Sequence, residues 1–176
     1  MPAEHRVERT AEAWQDLTEW LAVHAPLSFA SILPPVPEKD ITNADAALRQ
    51  RLGFGLPPEL AALWRLCGGV EHQLIEADEE GEVGSGAFLP GGVILPPAQA
   101  LGLRLPASGG GDGWGGAQVV PWLTRDEAGP EHGLYASKRG VGEWSIVDEP
   151  AGGPAYPSVA AYLETGQRTL LRGPRT

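Results

Sequence analysis

The chain has 176 residues, a formal net charge of −10 and one cysteine, Cys67. This length predicts a single domain, and the strong negative charge argues against binding to the phosphates of DNA or RNA. One cysteine allows no internal disulfide, and no apolar run reaches the ~18 residues of a membrane span. The first residues contain no apolar core of a secretion signal, so we expect a cytoplasmic protein without membrane association.

The first predicted helix covers residues 10–23. Trp14, Leu17 and Leu21 recur at intervals of three and four, as on one apolar helix face. The polar residues before this helix are predicted to fray, and Pro26 is predicted to end it. The prolines that follow, up to Pro37, predict an extended linker.

A second helix is predicted after Thr42, which forms a candidate capping box with Asp45. It leads into residues 52–69, LGFGLPPELAALWRLCGG, where a tight turn joins it to a third predicted helix. Proline fits the first turn of the third helix, and Glu59 in that turn suits the helix dipole. Gly53 is predicted to close the second helix, and Gly68-Gly69 to end the third, since glycine adopts the left-handed conformation.

The order Leu-Gly, Leu-Pro-Pro-Glu-Leu, Leu-Trp and Gly-Gly in this segment resembles the signature of the Smi/Knr branch of the SUKH superfamily. Those proteins usually carry Leu-Gly-x-x-Leu-Pro, a helix and then Asn-Gly, and Cys67-Gly68-Gly69 stands in the place of Asn-Gly. The resemblance spans residues 10–171. It departs in the late hairpin, where many relatives carry a Gly-Gly-Asp turn and this chain has Glu131-His132-Gly133 and Gly140-Val141-Gly142.

The resemblance implies a function. Bacterial SUKH proteins are typically immunity proteins, which bind and neutralise a toxin delivered by neighbouring cells, and fungal relatives are scaffolds in cell-wall regulation. It therefore implies a non-catalytic protein-binding module. An immunity protein of a contact-dependent or polymorphic toxin system is the first interpretation, and a Smi/Knr-type regulatory adaptor without a toxin is the alternative.

The second half of the chain predicts a sheet. Residues 71–95 are interpreted as short strands around an acidic turn, and residues 96–101 as a short helix. Residues 119–123 predict a strand whose Pro121 requires a sheet edge or a bulge. A hairpin is predicted around residues 138–142, and Ser158 is predicted to cap a last helix that Gly166 interrupts.

Acidic residues and one tryptophan are the candidate partner-binding residues. A dense negative patch would attract a basic partner, such as a toxin domain with a phosphate-binding site. A tryptophan between glycines either folds back on the core or contacts a partner. The candidates are Glu76, Asp78, Glu79, Glu80, Glu82, Asp112 and Trp114.

Other kinds of site are weakly supported. The acidic turn resembles a calcium loop, but Ala87 occupies the position of the bidentate glutamate. Residues 111–116 match G-x-G-x-x-G without the strand and helix that a dinucleotide site needs. Cys67 lies on the apolar stripe of its helix and is interpreted as a core residue. A hydrolase using Asp126, Glu127 and His132 is a second alternative, supported only by the proximity of these residues in the sequence. Because no convergent set of catalytic or ligating side chains is evident, we expect no catalytic residues, cofactor or metal.

The sequence thus predicts one α+β domain over residues 1–176. Two or three N-terminal helices pack on an antiparallel, meander-like sheet, and a C-terminal helix closes the fold. The predicted core consists of Trp14, Leu17, Leu21, Leu48, Leu52, Leu56, Leu60, Leu63, Trp64, Trp122, Trp144, Ile146, Tyr162 and Leu163.

Overall fold

The computed structural model describes residues 2–71, 89, 92–102, 119–124, 132–145 and 155–172. Helices come first, an antiparallel sheet follows and a helix closes the chain, so the predicted α+β class is confirmed. Within these residues the elements are α1 (Ala3–His24), α2 (Pro26–Ala30), α3 (Glu38–Leu52), α4 (Pro58–Trp64), β1 (Val93–Ile94), α5 (Pro97–Gly102), β2 (Val120–Thr124), β3 (His132–Ser137), β4 (Gly140–Ser145) and α6 (Val159–Leu171).

Helix α1 begins at Ala3, so the prediction that the N-terminal turns fray is wrong. Arg6 donates a hydrogen bond to the carbonyl of Lys138 at 3.1 Å. Arg9 forms an ion pair with Glu164 of α6 at 2.7 Å. These polar turns are helical because distant parts of the chain supply partners that local sequence cannot reveal.

Helix α3 begins at Glu38, directly after Pro37, so the capping box predicted at Thr42 is wrong. The fixed φ of proline prepares the chain for a first helical turn and starts the helix earlier than the side-chain signal indicated. Asp45 has a different role. Its Oδ1 accepts a hydrogen bond from the backbone N–H of Leu56 at 2.8 Å and so fixes the turn into α4.

Helix α4 ends at Trp64, so the glycine pair Gly68-Gly69 does not end it as predicted. The backbone N–H of Val36 donates to the Trp64 carbonyl at 2.9 Å and satisfies it where the helix stops. Gly69, with φ of 124°, permits a close approach instead. A Cβ there would lie 2.9 Å from the backbone nitrogen of Pro96.

The strand order is β1-β2-β3-β4, and all neighbours are antiparallel. Strand β2 is internal, and its register shifts between Pro121 and Leu123. The bulge alternative predicted for Pro121 is therefore the correct one, since a bulge accommodates a residue without an N–H. The hairpin between β3 and β4 is tighter than predicted, because Lys138 and Arg139 alone form its turn.

Helix α6 begins as predicted, with the Ser158 hydroxyl accepting a hydrogen bond from the N–H of Ala161 at 3.0 Å. The helix continues through Gly166, so the predicted interruption is wrong. Gly166 is buried, and helix packing at this position outweighs the low intrinsic helix propensity of glycine.

The core lies where α1, α4 and α6 meet the sheet. Trp122 of β2 contacts Tyr162 of α6 edge to face, with ring centroids 5.5 Å apart. Trp144 is buried with Val119 and Tyr135 in a separate, smaller cluster. The burial of Leu52 and Ile146 lies outside what the structure describes. The other predicted core residues are buried as expected: Trp14, Leu17, Leu21, Leu48, Leu56, Leu60, Leu63, Trp64, Trp122, Trp144, Tyr162 and Leu163.

Candidate functional surfaces

Glu59 is a buried carboxylate that connects separate elements of the fold. Its side chain lies at the start of α4, as predicted, but the residue is only 8% exposed. Its Oε2 accepts a hydrogen bond from the backbone N–H of Val159, the first residue of α6, at 2.7 Å. Its Oε1 lies 3.7 Å from a guanidinium nitrogen of Arg6 on α1. Glu59 thus joins α1, α4 and α6, a role that its local sequence did not signal.

The environment of Glu59 changes its acidity. Burial raises the pKa of the Glu59 carboxyl above its ordinary value, while the N–H of Val159 and the charge of Arg6 act in the opposite direction. A carboxylate held by a backbone N–H and a guanidinium is well suited to fix neighbouring elements.

A cleft of about 280 Å³ opens beside Glu59. Its walls also include Ser137, whose hydroxyl donates to the carbonyl of Gly140 and accepts from the N–H of Arg139, both at 3.2 Å. This hydroxyl therefore helps to hold the β3–β4 turn. The remaining lining residues are Ala3, Arg6, Pro57, Pro58 and Lys138.

A second cleft, of about 290 Å³, lies between α1, α3 and α4. Two of its carboxylates are already paired. Glu38 binds both Nε and a terminal nitrogen of Arg65, at 2.8 and 2.9 Å, and Asp45 binds Arg49 at 2.9 Å. Hydrogen bonds from these arginines lower the pKa of both carboxyl groups. The Glu38–Arg65 pair therefore links the start of α3 to the residue after α4, whereas the Asp45–Arg49 pair lies within α3.

Cys67 is fully buried, which confirms the prediction that it is a core residue. Its thiol donates to the Gly69 carbonyl at 3.1 Å. Burial raises the pKa of Cys67 to about 12, so the thiol stays protonated at neutral pH and is a poor nucleophile.

The structure does not test the predicted site residues directly. Glu76, Asp78, Glu79, Glu80, Glu82, Asp112 and Trp114 all lie outside the described residues, as do Asp126, Glu127 and the glycines of residues 111–116. His132, the third member of the hydrolase hypothesis, is exposed at the start of β3. Among the described residues, no three His, Cys, Asp or Glu side chains are placed to hold a metal ion.

Three acid-rich segments nevertheless join the sheet at one end. The first residue of β1, Val93, pairs with the last of β2, Thr124. The first residue of β3, His132, pairs with the last of β4, Ser145. Each of the four described strands therefore begins or ends at this end of the sheet. At that point each strand connects to an acid-rich segment of the chain. By sequence these segments carry ten Asp or Glu and one Arg, in residues 72–91, 125–131 and 146–154.

A second acidic surface, not predicted from the sequence, lies on α1. The face of this helix opposite Leu17 carries exposed carboxylates at intervals of four, four and three residues, which places them in one stripe. The described residues supply no ion pair to any of them. The signal was present in the sequence as acidic residues spaced i, i+4. The stripe consists of Glu8, Glu12, Asp16 and Glu19.

An exposed apolar corner follows the stripe. Val23, near the end of α1, is 74% exposed, and Leu27 and Phe29 on α2 are 45% and 44% exposed. Beside them the ring of Trp20 stacks on His24, with centroids 4.8 Å apart. Three exposed apolar residues within seven consecutive positions make this corner a candidate contact surface.

No helix among the described residues is long and apolar enough to cross a lipid bilayer. No protein-family model matches the chain, and no curated protein does.

Proposed function

We propose that the protein is a non-catalytic protein-binding module, and specifically a toxin-neutralising immunity protein of the SUKH type. The observation that carries this proposal is the distribution of charge. Ten of the 23 acidic residues occur in the three segments that join the sheet at one end. Among the described residues, by contrast, acidic and basic side chains nearly balance, at twelve and ten.

This distribution of charge supports a partner protein with a basic surface. Carboxylates that outnumber the basic side chains of their segments ten to one attract a basic surface over several ångströms and accelerate its association. A nuclease-type toxin carries such a surface, because its substrate is a polyanion. The candidates Glu76, Asp78, Glu79, Glu80 and Glu82 belong to the longest of the three segments.

The experiment has two steps. The tagged full chain is first used to capture its partner from the native host, and the captured protein is identified by mass spectrometry. Binding of the purified pair is then measured at low and high salt. If the carboxylates drive binding, raising NaCl from about 0.05 to about 0.5 M weakens the affinity by roughly tenfold or more.

Charge-reversal variants test which carboxylates contribute to partner binding. Glu79→Lys weakens binding, while the matched control Asp40→Lys, at an exposed position of α3, leaves it unchanged. Immunity is tested by expressing the partner in a bacterium with and without this chain; growth restored by the chain supports the proposal. An affinity that neither salt nor Glu79→Lys alters would reject the acidic-patch mechanism.

The regulatory adaptor remains the competing function. It shares the binding fold but has a partner that is not toxic. A toxin gene directly upstream of the coding sequence favours immunity, whereas a non-toxic partner that binds as tightly favours the adaptor.

A further inference from the structure

We propose that the apolar corner formed by Val23, Leu27 and Phe29 is a docking surface for a basic amphipathic helix of a partner protein. The inference rests on the proposed binding function, but it assigns a surface different from the acid-rich end of the sheet. Val23 is 74% exposed to solvent. Leu27 and Phe29 are nearly half exposed on the short helix that follows.

The acidic stripe identifies the occupant. Glu8, Glu12, Asp16, Glu19 and Val23 follow one another at intervals of four, four, three and four residues, so the stripe leads directly into the corner. At 1.5 Å per residue, Glu8 and Val23 are separated by about 22 Å along the helix axis. A partner helix of about four turns would span this length.

The stripe is not neutralised by its own helix. The basic side chains of the first turns, Arg6 and Arg9, are directed to Lys138 and Glu164 instead. The pairs Glu8–Glu12 and Glu12–Asp16 are like charges at i, i+4, which lowers the stability of the helix. Lysines or arginines at the same spacing on a partner would relieve this repulsion while its apolar side chains cover the corner.

The same charges argue against other occupants. A second copy of this chain would bring two acidic stripes together, and like charges across an interface are unfavourable. Nucleic acid and an anionic membrane carry the same sign of charge and are repelled in the same way. A basic protein helix is the occupant that satisfies both the apolar corner and the carboxylates.

The test uses a defined probe, a fluorescent 18-residue helical peptide with leucines along one face and lysines along the other. Its anisotropy is measured with the full chain. We expect binding that falls by roughly tenfold in the double variant Val23→Ser/Leu27→Ser, and again in Glu12→Lys/Asp16→Lys. Two matched controls keep wild-type affinity: Leu171→Ser, which removes an apolar side chain that is 59% exposed elsewhere, and Asp40→Lys.

Peptide controls separate docking from general charge attraction. A peptide of the same composition with scrambled order must bind at least about tenfold more weakly than the amphipathic one. Equal binding of the two peptides, or wild-type affinity in both double variants, would overturn the inference. So would a concentration-dependent dimer that Leu27→Ser dissociates, because a second copy would then cover the corner.

The outcomes also separate this inference from the proposed function. A native toxin partner that binds the corner variants normally but requires Glu79 would leave the immunity proposal intact and reject the corner as the docking surface. Peptide binding that depends on Val23 and Glu12, without any neutralisation of a toxin, would support the corner and reject immunity.

Discussion

The inward side of α1 carries arginines that pair with other elements, whereas its outward face carries carboxylates. On the inward side, Arg6 reaches Glu59 and the Lys138 carbonyl, and Arg9 reaches Glu164 on α6. On the outward side, the stripe that includes Glu12 has no ion pair from the described residues. The inward cations hold the fold together, whereas the outward carboxylates repel one another and cost it stability. This difference is why we assign the outward face to binding.

The largest expected effect tests the apolar part of the inward face. Leu17 is fully buried, and Leu17→Ala should lower the free energy of unfolding by about 2–5 kcal/mol through lost burial and a residual cavity. Urea denaturation measures the change. Gln15→Ala, at an exposed position of the same helix, should change stability by less than about 0.5 kcal/mol. A loss below about 1 kcal/mol for Leu17→Ala would show that the packing of α1 is misassigned.

Removal of the Glu59 carboxylate should have the next largest effect. Glu59→Ala leaves the N–H of Val159 without its acceptor and Arg6 without its buried partner. We expect a loss of about 2–3 kcal/mol in the free energy of unfolding. Glu59→Gln retains an acceptor and should lose about 1 kcal/mol or less. Equal losses in the two variants would mean that Val159 does not depend on this hydrogen bond.

The pH dependence of the free energy of unfolding is a further test of the buried environment of Glu59. Because the folded-state pKa of Glu59 is raised, mainly by burial, the folded chain keeps this proton at pH values where the unfolded chain has lost it. The stability that comes from this pKa shift is therefore fully present below the unfolded pKa of Glu59 and is lost as the pH rises through the folded pKa.

Between about pH 4 and pH 7, wild type should thus lose stability relative to Glu59→Gln, which does not titrate. Urea denaturation of both proteins at several pH values measures the difference. A gain for wild type over this range would reverse the assigned direction of the shift.

The smallest expected effect concerns the outward face and has the opposite sign. Glu12→Lys replaces two repulsive i, i+4 pairs, with Glu8 and Asp16, by attractive ones. It should raise the free energy of unfolding by about 0.5 kcal/mol while weakening partner binding. Thermal or urea unfolding detects the change. A destabilisation instead would indicate that Glu12 contributes to the fold and would weaken the contrast between the two faces.

Sequence patterns determined the features of this protein that depend on neighbouring residues. The apolar periodicity of α1 located Trp14, Leu17 and Leu21 in the core. Gly53 ends α3 with φ of 77°, as predicted, and Ser158 caps α6. Each of these signals acts within one or two turns of chain, which is why it can be read without the fold.

Only the tertiary structure decided the features that depend on distant partners. The first turns of α1 are helical because Lys138 and Glu164 meet Arg6 and Arg9. The same holds for Glu59, whose partner lies a hundred residues away in the sequence. The candidate surface on α1 combines both kinds of information. The spacing of its carboxylates is local. That no described residue forms an ion pair with them appears only in the structure, where Arg6 and Arg9 contact other elements, because the direction of a side chain is set by what packs around it.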